Sequence, residues 1–304
     1  MPNKLTPPNL QIGDTVAIIA TGKQITVQEI LVAKDHLTKW GLKVVLGESI
    51  QPQSLYLAGN DLLRTSDLQN AINDPQIKAI LFARGGYGTV RIIDAINFNK
   101  LKERPKWLIG FSDLTIMHTH IQALLNLSTI HGIMPIFFPT ASDSSIDSLK
   151  QILFNGMMNY DIETNNEWHH PGECFGEITG GNLAMLASAA GSSSALDCKN
   201  KILFIEDLCE PYYKVDRMLQ TLFRAGSING IKGLIVGSFT AMEPGEPAFS
   251  TSFPELLLDY FKPLEIPIYF DFPAGHIDDN RALHFGHPVK MTVKDKRIIL
   301  KTIK

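Results

Sequence analysis

Residues 107–115 read Trp-Leu-Ile-Gly-Phe-Ser-Asp-Leu-Thr. The apolar run that opens this stretch predicts a buried strand. A helix is predicted to follow, because apolar residues recur with helical spacing at Leu114, Met117, Ile121, Leu124 and Leu125. Ser112 therefore lies where a strand turns into a helix, a position that projects a side chain among unpaired N–H groups. It is either a nucleophile backed by oxyanion donors or the N-cap of the helix.

Strands and helices alternate along the first half of the chain. The predicted strands cover residues 14–20, 43–46, 77–83 and 107–109, and the predicted helices cover residues 27–40, 61–73 and 90–96. Because each strand is a continuous apolar run, we expect a parallel sheet with helices on both faces. Ligands bind beyond the carboxyl ends of such strands, which is where Ser112 and the glycine-rich loop 84–88 lie.

The composition changes between residues 141 and 172, where Ser, Asp, Asn and His cluster. Beyond this stretch the predicted strands, over residues 201–205, 233–239, 266–272 and 289–294, alternate less regularly with helices. The chain has 304 residues, which suits two domains. We predict an α/β N-terminal domain over 1–160, a linker over 161–172 and a smaller, β-rich α+β C-terminal domain over 173–304.

The overall composition argues against several classes of protein. Hydrophobic residues make up 44% and charged residues 19% of the chain, as in an ordinary globular protein. A net charge of −3 without a Lys/Arg stripe argues against nucleic-acid binding. No signal peptide or membrane span is recognisable, and the 3 cysteines lack metal-ligand spacing. These features predict a cytoplasmic protein that does not bind a membrane and needs no metal or other cofactor.

A serine nucleophile needs a base and a group that orients the base. Among the 9 histidines, His276 stands out because it follows a predicted strand in a loop that contains Pro and Gly. His131 either lines the same edge of the sheet or simply packs. Glu206 ends an apolar strand and is the first candidate for the orienting acid, with Asp207 and Glu210 as alternatives.

The loop Arg84-Gly-Gly-Tyr-Gly88 follows a predicted strand and precedes a predicted helix. Its glycines permit close approach of the backbone and expose N–H groups. The pattern is neither G-x-G-x-x-G nor a Walker A sequence, since Lys is absent and the spacing differs. An oxyanion-hole or substrate-backbone role fits better than nucleotide binding, because Ser112 is expected at the end of an adjacent strand.

Six segments together carry a family resemblance. They are Ala83-Arg-Gly-Gly-Tyr-Gly88, Pro105-Lys-Trp-Leu-Ile-Gly-Phe-Ser-Asp-Leu-Thr115, His131-Gly-Ile-Met134, Gly176-Glu-Ile-Thr-Gly-Gly-Asn-Leu183, Phe204-Ile-Glu-Asp-Leu-Cys-Glu-Pro-Tyr-Tyr-Lys-Val-Asp-Arg-Met-Leu219 and Gly275-His276 through Asn280. In this order, and over nearly the whole chain, the sequence resembles the L,D-carboxypeptidase family of serine peptidases. That family includes murein tetrapeptide carboxypeptidases and microcin C immunity peptidases.

The resemblance implies a Ser-His-Glu triad with Ser112 as nucleophile, His276 as base and Glu206 as orienting acid. It implies an oxyanion hole made by the backbone N–H groups of Gly86 and Asp113. It also implies a flavodoxin-like or Rossmann-like N-terminal domain with a parallel sheet, an active site between the two domains, and a homodimer.

The substrate implied by the resemblance is a murein tetrapeptide, cleaved at the bond before its terminal D-alanine. A cation should bind the free carboxylate of that residue. Arg84 and Arg281 are the candidates, with a salt bridge as the alternative role of each, and Tyr87 is also predicted to bind substrate. Two other functions stay open: an immunity peptidase that cleaves an aminoacyl-nucleotide antibiotic, and a non-catalytic ligand-binding module.

Overall fold

Residues 4–51 and 55–303 are described by the computed structural model. Their strands are β1 (Thr15–Ile19), β2 (Lys43–Leu46), β3 (Ile77–Phe82), β4 (Trp107–Gly110), β5 (Thr129–His131), β6 (Asn159–Glu163), β7 (Gly172–Asn182), β8 (Lys201–Leu208), β9 (Gly233–Thr240), β10 (Ile268–Tyr269), β11 (Leu283–Phe285), β12 (Pro288–Lys294) and β13 (Arg297–Thr302). Their α-helices are α1 (Leu31–Lys39), α2 (Asp61–Asn73), α3 (Thr89–Ile92), α4 (Lys100–Glu103), α5 (Thr115–Leu125), α6 (Asp143–Asn155), α7 (Leu183–Ser188), α8 (Tyr212–Arg224) and α9 (Phe253–Phe261). Short 3₁₀ helices cover Gln28–Ile30, Ile93–Ala95, Ser112–Leu114, Pro135–Phe137 and Lys262–Leu264.

The first five strands form a parallel sheet in the order β2-β1-β3-β4-β5. This is the strand order of flavodoxin-like proteins. Side chains alternate between the two faces of the sheet, so that Ile18 enters one apolar cluster and Ile19 enters another. Apolar residues therefore follow one another along these strands because both faces are covered.

The second half of the chain continues the same sheet through β11. This strand pairs antiparallel with β5 and parallel with β7, and β7, β8, β9 and β10 are parallel neighbours. The two parallel groups therefore run in opposite directions on either side of β11. β12, β13 and β6 form an antiparallel extension that starts from the first part of β7.

The two halves approach each other closely where β7 ends and α5 begins. The Asn182 N–H donates to Oγ1 of Thr115 at 2.9 Å. Gly181 has a φ of 131°, and a Cβ added to it would lie 2.4 Å from the same Oγ1. Glycine is required here both for its backbone conformation and for the short distance between the two segments.

The predicted fold class is confirmed: the protein is α/β, with a large, mainly parallel sheet and a flavodoxin-like N-terminal part. The strand predicted over residues 266–272 is shorter and spans only Ile268–Tyr269, because Asp271 adopts a φ of 57° that interrupts the extended backbone. β6 lies across the predicted boundary at residue 160 and pairs with β13. The domain limits 1–160, 161–172 and 173–304 stay a prediction. Over the described ranges, no helix combines the length and the apolar character that a membrane crossing requires.

Candidate active site

Ser112 is the first residue of the 3₁₀ helix that follows β4, and its φ is 62°. This left-handed conformation is unfavourable for a residue with a Cβ, so the turn is strained. The turn is also tight, since a Cβ on Gly110 would lie 2.9 Å from Cγ of Leu114. The N-cap residue is Phe111, and no side chain caps this described helix start. The structure thus does not give Ser112 the helix-capping role that was its alternative.

A chain of two hydrogen bonds links the three residues predicted to form a triad. The Ser112 hydroxyl lies 3.1 Å from Nε2 of His276, and Nδ1 of the same ring lies 2.7 Å from Oε2 of Glu206. Because an ionised carboxylate only accepts hydrogen bonds, Nδ1 carries the proton and Nε2 presents its lone pair to the hydroxyl. This arrangement suits His276 for removing a proton from Ser112.

The loop that carries His276 is held tightly against Glu206. Glu206 is fully buried, whereas 13% of the His276 side chain is exposed. A Cβ on Gly275 would lie 2.3 Å from Oγ of Ser238 and 3.0 Å from Oε2 of Glu206. Gly275 also has a φ of 120°, and its N–H donates to Oδ1 of Asn280 at 2.9 Å. Only glycine permits this backbone to come so close to the buried carboxylate.

The two alternative acids point elsewhere. Asp207 follows Glu206 in β8 and projects away from it, as successive strand residues do. Its carboxylate accepts hydrogen bonds from Nδ2 of Asn182 at 2.8 Å and from the Ala184 N–H at 2.9 Å. Burial raises the pKa of Asp207 to about 6. Glu210 lies 3.5 Å from Nζ of Lys214. Of the three acids, it is Glu206 that contacts His276.

An aromatic layer supports the His276 ring. Phe111 packs edge-on against it, with ring centroids 4.9 Å apart, and also contacts His131 at 5.7 Å. His131 is fully buried, and it lies beside the polar side chain of Asn280. Burial holds the pKa of His131 well below its usual value, so the ring is neutral. His131 is therefore a packing residue beside the site.

The glycine-rich loop lies directly against Ser112. A Cβ on Gly85 would lie 3.2 Å from Cβ and 3.4 Å from Oγ of Ser112. The Gly85 carbonyl accepts a hydrogen bond from the Lys23 N–H at 3.1 Å. Because the C=O and N–H of a trans peptide point in opposite directions, the Gly86 N–H points away from Lys23. The Asp113 N–H belongs to the first turn of a helix, where N–H groups lack intrahelical acceptors.

A cavity of about 330 Å³ adjoins His276. Its walls are largely apolar, with contributions from Phe111, Ile133, Phe137, Leu208 and Ile277, and they include the acidic residue Asp278. A partly enclosed, mainly apolar cavity with a few polar groups is typical of a small-molecule or short-peptide site.

The residues predicted to bind substrate lie on both halves of the chain. Nη1 of Arg84 is 3.9 Å from Glu29, and Nη2 of Arg281 is 3.0 Å from Asp279. Tyr87 is half-exposed. Their role in substrate binding stays a prediction. Between residues 4 and 303, outside the gap at 52–54, no group of three or more His, Cys, Asp and Glu side chains could hold a metal ion.

Two family models match the chain: the LD-carboxypeptidase N-terminal domain over residues 16–132 and the LD-carboxypeptidase C-terminal domain over residues 175–291. The chain belongs to the LD-carboxypeptidase family. It is 33% identical over 303 residues to a probable murein peptide carboxypeptidase of Bacillus subtilis (strain 168), covering 97% of this chain and 93% of the relative.

Solved structures share the fold of this chain. The muramoyltetrapeptide carboxypeptidase from Oxalobacter formigenes has a TM-score of 0.86 at 26% identity, over 95% of this chain and 99% of that one. The microcin C7 self immunity protein, in complex with aspartyl sulfamoyl adenosine, has a TM-score of 0.86 at 22% identity, over 100% and 99%. At that lower identity the likeness concerns the fold alone.

Two features of the site were not predicted from the sequence. One is the packing of Phe111 on His276. The other is the hydrogen bond that the Asp113 carboxylate accepts from the Thr89 N–H at 2.9 Å, since only the N–H of Asp113 was considered. Asp113 lies at the predicted start of a helix that is expected to be buried, and a carboxylate buried there needs a hydrogen-bond partner from another segment. That requirement is the signal that could have drawn attention to the Asp113 side chain.

Proposed function

We propose that this protein is a serine peptidase that removes the terminal D-alanine from murein tetrapeptides. The observation that carries the proposal is the hydrogen-bond chain from Ser112 through His276 to Glu206. The proposal draws further support from the names of the Bacillus subtilis and Oxalobacter formigenes relatives. The peptide bond that is cut joins the L-centre of the third residue, a diamino acid, to the D-alanine.

In the proposed reaction Ser112 Oγ attacks the carbonyl carbon of the third residue while Nε2 of His276 takes the hydroxyl proton. The buried Glu206 carboxylate keeps Nδ1 protonated and stabilises the imidazolium that forms. The tetrahedral intermediate collapses as Nε2 passes its proton to the leaving amine nitrogen, which releases D-alanine. Water then attacks the acyl-enzyme with His276 as base, and this step frees the shortened peptide and restores Ser112.

The charge of the tetrahedral intermediate requires backbone donors. The N–H groups of Gly86 and Asp113 are proposed for this role, and each oxyanion donor contributes about 3–4 kcal/mol to transition-state stabilisation. The D-alanine carboxylate requires a cation, for which Arg84 and Arg281 are both proposed. The ion pair of Arg84 with Glu29 is long, whereas Arg281 is engaged by Asp279 at hydrogen-bond distance. Arg84 is thus the more available of the two.

The test is incubation of the protein with a muropeptide pool, followed by mass spectrometry. We expect tetrapeptides to lose one alanine, and we expect Ser112→Ala to lower the rate about 10⁶-fold, as loss of a serine nucleophile does elsewhere. Ser66→Ala, at an exposed position of α2, is the matched control and should keep wild-type activity. Near wild-type turnover by Ser112→Ala would show that the triad assignment is wrong.

Further arms of the experiment distinguish the proposed function from two other functions. Cleavage of an aminoacyl sulfamoyl adenylate in place of the tetrapeptide would favour an immunity peptidase, whose fold this chain shares. Absence of Ser112 labelling by a fluorophosphonate in folded protein would favour a non-catalytic binding module. A cytoplasmic location and a homodimer accompany the proposal as predictions.

A further inference from the structure

One peptide unit of the glycine-rich loop is held from both sides by buried charged side chains. The Gly88 carbonyl accepts a hydrogen bond from Nη1 of Arg64 at 2.9 Å. The N–H of the same peptide, that of Thr89, donates to Oδ2 of Asp113, also at 2.9 Å. Gly88 ends the loop and Thr89 begins α3, so this peptide anchors the loop at its carboxyl end.

Both charged groups are removed from solvent. Arg64 is 0% exposed and Asp113 is 1% exposed. Arg64 is also bound to the carbonyl of Thr21 and to Asp61. Burial raises the pKa of Asp113 even though the backbone of Thr89 donates to it. Removing charged side chains from water is costly, and both of these groups are hydrogen-bonded to the same loop peptide. Holding that peptide in place is a reason for placing them here.

The packing around this peptide leaves no room for adjustment. A Cβ on Gly88, whose φ is 146°, would lie 2.8 Å from Nη1 of Arg64. A Cβ on Gly22 would lie 2.7 Å from the Gly85 carbonyl oxygen and 3.0 Å from Oδ2 of Asp113. The loop is thus pressed against Arg64 through Gly88, and the segment at Gly22 is pressed against both the loop and Asp113. The position of the loop therefore follows the positions of these neighbours.

Asp113 is the residue directly after Ser112, so the loop is tied to the nucleophile turn itself. The proposed oxyanion donors are the N–H of Asp113 and the N–H of Gly86, which lies two residues before the held peptide. We propose that the Asp113 carboxylate and the Arg64 guanidinium are positioning residues that fix the distance between the Gly86 N–H and Ser112. This inference rests on the proposed function, because it assigns a role in the same reaction.

Loss of either positioning residue should lower kcat more than it changes KM. The oxyanion donors act on charge that is present in the transition state and absent from the bound substrate. A displacement of about 1 Å in catalytic geometry lowers the rate about 10²-fold. We therefore expect Asp113→Ala to lower kcat about 10²-fold with KM within about 3-fold of wild type, and Asp113→Asn, which keeps an acceptor oxygen, to recover most of the loss.

Asp67 provides a matched control, because it is a buried carboxylate that holds a different loop. It accepts hydrogen bonds from the N–H groups of Glu48 at 3.2 Å and Ser49 at 3.0 Å. We expect Asp67→Ala to lower stability towards urea, as Asp113→Ala does, and to leave kcat unchanged. Equal losses of kcat in the two alanine variants, or an unchanged kcat in Asp113→Ala, would overturn the inference.

The rate of Ser112 labelling by a fluorophosphonate gives a second readout that needs no peptide. If Asp113→Ala does not fold, the labelling rates of Asp113→Asn and Arg64→Lys, measured in the same way, still test the positioning role. We expect labelling to be slowed about 10-fold or more in Arg64→Lys and unchanged in Asp67→Ala. If wild type is labelled but releases no D-alanine, the proposed function fails while the labelling rates still decide the positioning role. No labelling of wild-type Ser112 overturns both.

Discussion

The two halves of the chain supply different kinds of groups to the candidate active site. The N-terminal half supplies the Ser112 hydroxyl and the proposed oxyanion donors, from the short segment that follows β4 and from the loop that follows β3. The C-terminal half supplies two side chains, Glu206 and His276, which are 70 residues apart in the sequence. The first contribution is determined by a local turn, whereas the second exists only when separate parts of the chain are folded together.

Because of this difference, the proposed activation of Ser112 depends on the contact between the two halves. Ser112 and His276 are 164 residues apart, and their hydrogen bond spans that junction. The contact between Asn182 and Thr115 lies close by, at the start of the helix that follows the nucleophile. Changes in the C-terminal half should therefore alter the activation of Ser112 without altering its turn.

The largest expected effect comes from removing the C-terminal contribution. We expect His276→Ala to lower kcat about 10⁶-fold and Glu206→Gln about 10⁴-fold, as loss of the base and of the orienting acid do in another serine peptidase. The controls are Asp207→Asn and Glu210→Gln, which replace the two neighbouring acids. Each control should retain much more activity than Glu206→Gln. D-alanine release, measured together with urea unfolding, distinguishes chemistry from folding. A smaller loss for Glu206→Gln than for either control would move the orienting role to that acid.

A smaller effect should appear in the N-terminal half as the pH falls. His118 of α5 donates from Nε2 to the Gly110 carbonyl at 2.9 Å and accepts at Nδ1 from the Thr129 hydroxyl at 2.8 Å. Burial lowers the pKa of His118 from 6.5 to about 4. Below pH 6.5 the unfolded chain thus binds a proton that the folded chain does not, and stability falls as the pH drops towards 4. The loss amounts to about 3 kcal/mol.

The measurement is the free energy of unfolding between pH 6.5 and pH 4 for wild type and for His118→Asn. The substitution lowers stability at every pH, so the informative quantity is the dependence on pH and not the absolute value. We expect a shallower decline in the variant. Parallel curves for the two proteins would mean that His118 does not contribute to acid sensitivity.

The smallest expected effect is on the contact between the halves. In Gly181→Ala the new methyl group would meet Oγ1 of Thr115, and we expect a loss of about 2 kcal/mol from overpacking, in addition to backbone strain. Gly191→Ala is the control for strain alone, because Gly191 also has a positive φ, of 81°, with no atom within 4 Å of an added Cβ. Urea unfolding of both variants isolates the packing effect. Equal destabilisation would show that the halves are not in tight contact at this point.

Much of the local structure could be predicted from the sequence. Apolar runs and helical spacing predicted β2 and α2 with the bounds that the structure has, and the strand–turn–helix around Ser112 followed from residues 107–125 alone. These features depend on neighbours in the sequence. The choice between nucleophile and helix cap could not be made locally, because it depends on the φ of Ser112 and on a histidine 164 residues away.

The remaining features depend on contacts between distant segments. The three-residue β11 gives no distinct sequence pattern, yet it joins the two parallel groups of strands. The hydrogen bonds of Arg64 and Asp113 to one loop peptide are set by the packing of α2 against that loop, which no spacing rule describes. Glu206 and His276 were already candidates from their positions after predicted strands, and the family resemblance implied their roles as acid and base. Their hydrogen bond is a property of the folded chain.

The distance in sequence between Ser112 and its base has a consequence for synthesis on the ribosome. Translation runs from the N-terminus, so the nucleophile turn is made 164 residues before His276. At 5–20 residues per second this interval lasts roughly 10–30 s. During that time the nascent chain carries a serine without a base, and β11 has not yet been made. A chain truncated or stalled before His276 would consequently carry an unactivated serine on an incomplete sheet, and activity would begin only after His276 has been made and folded against Ser112.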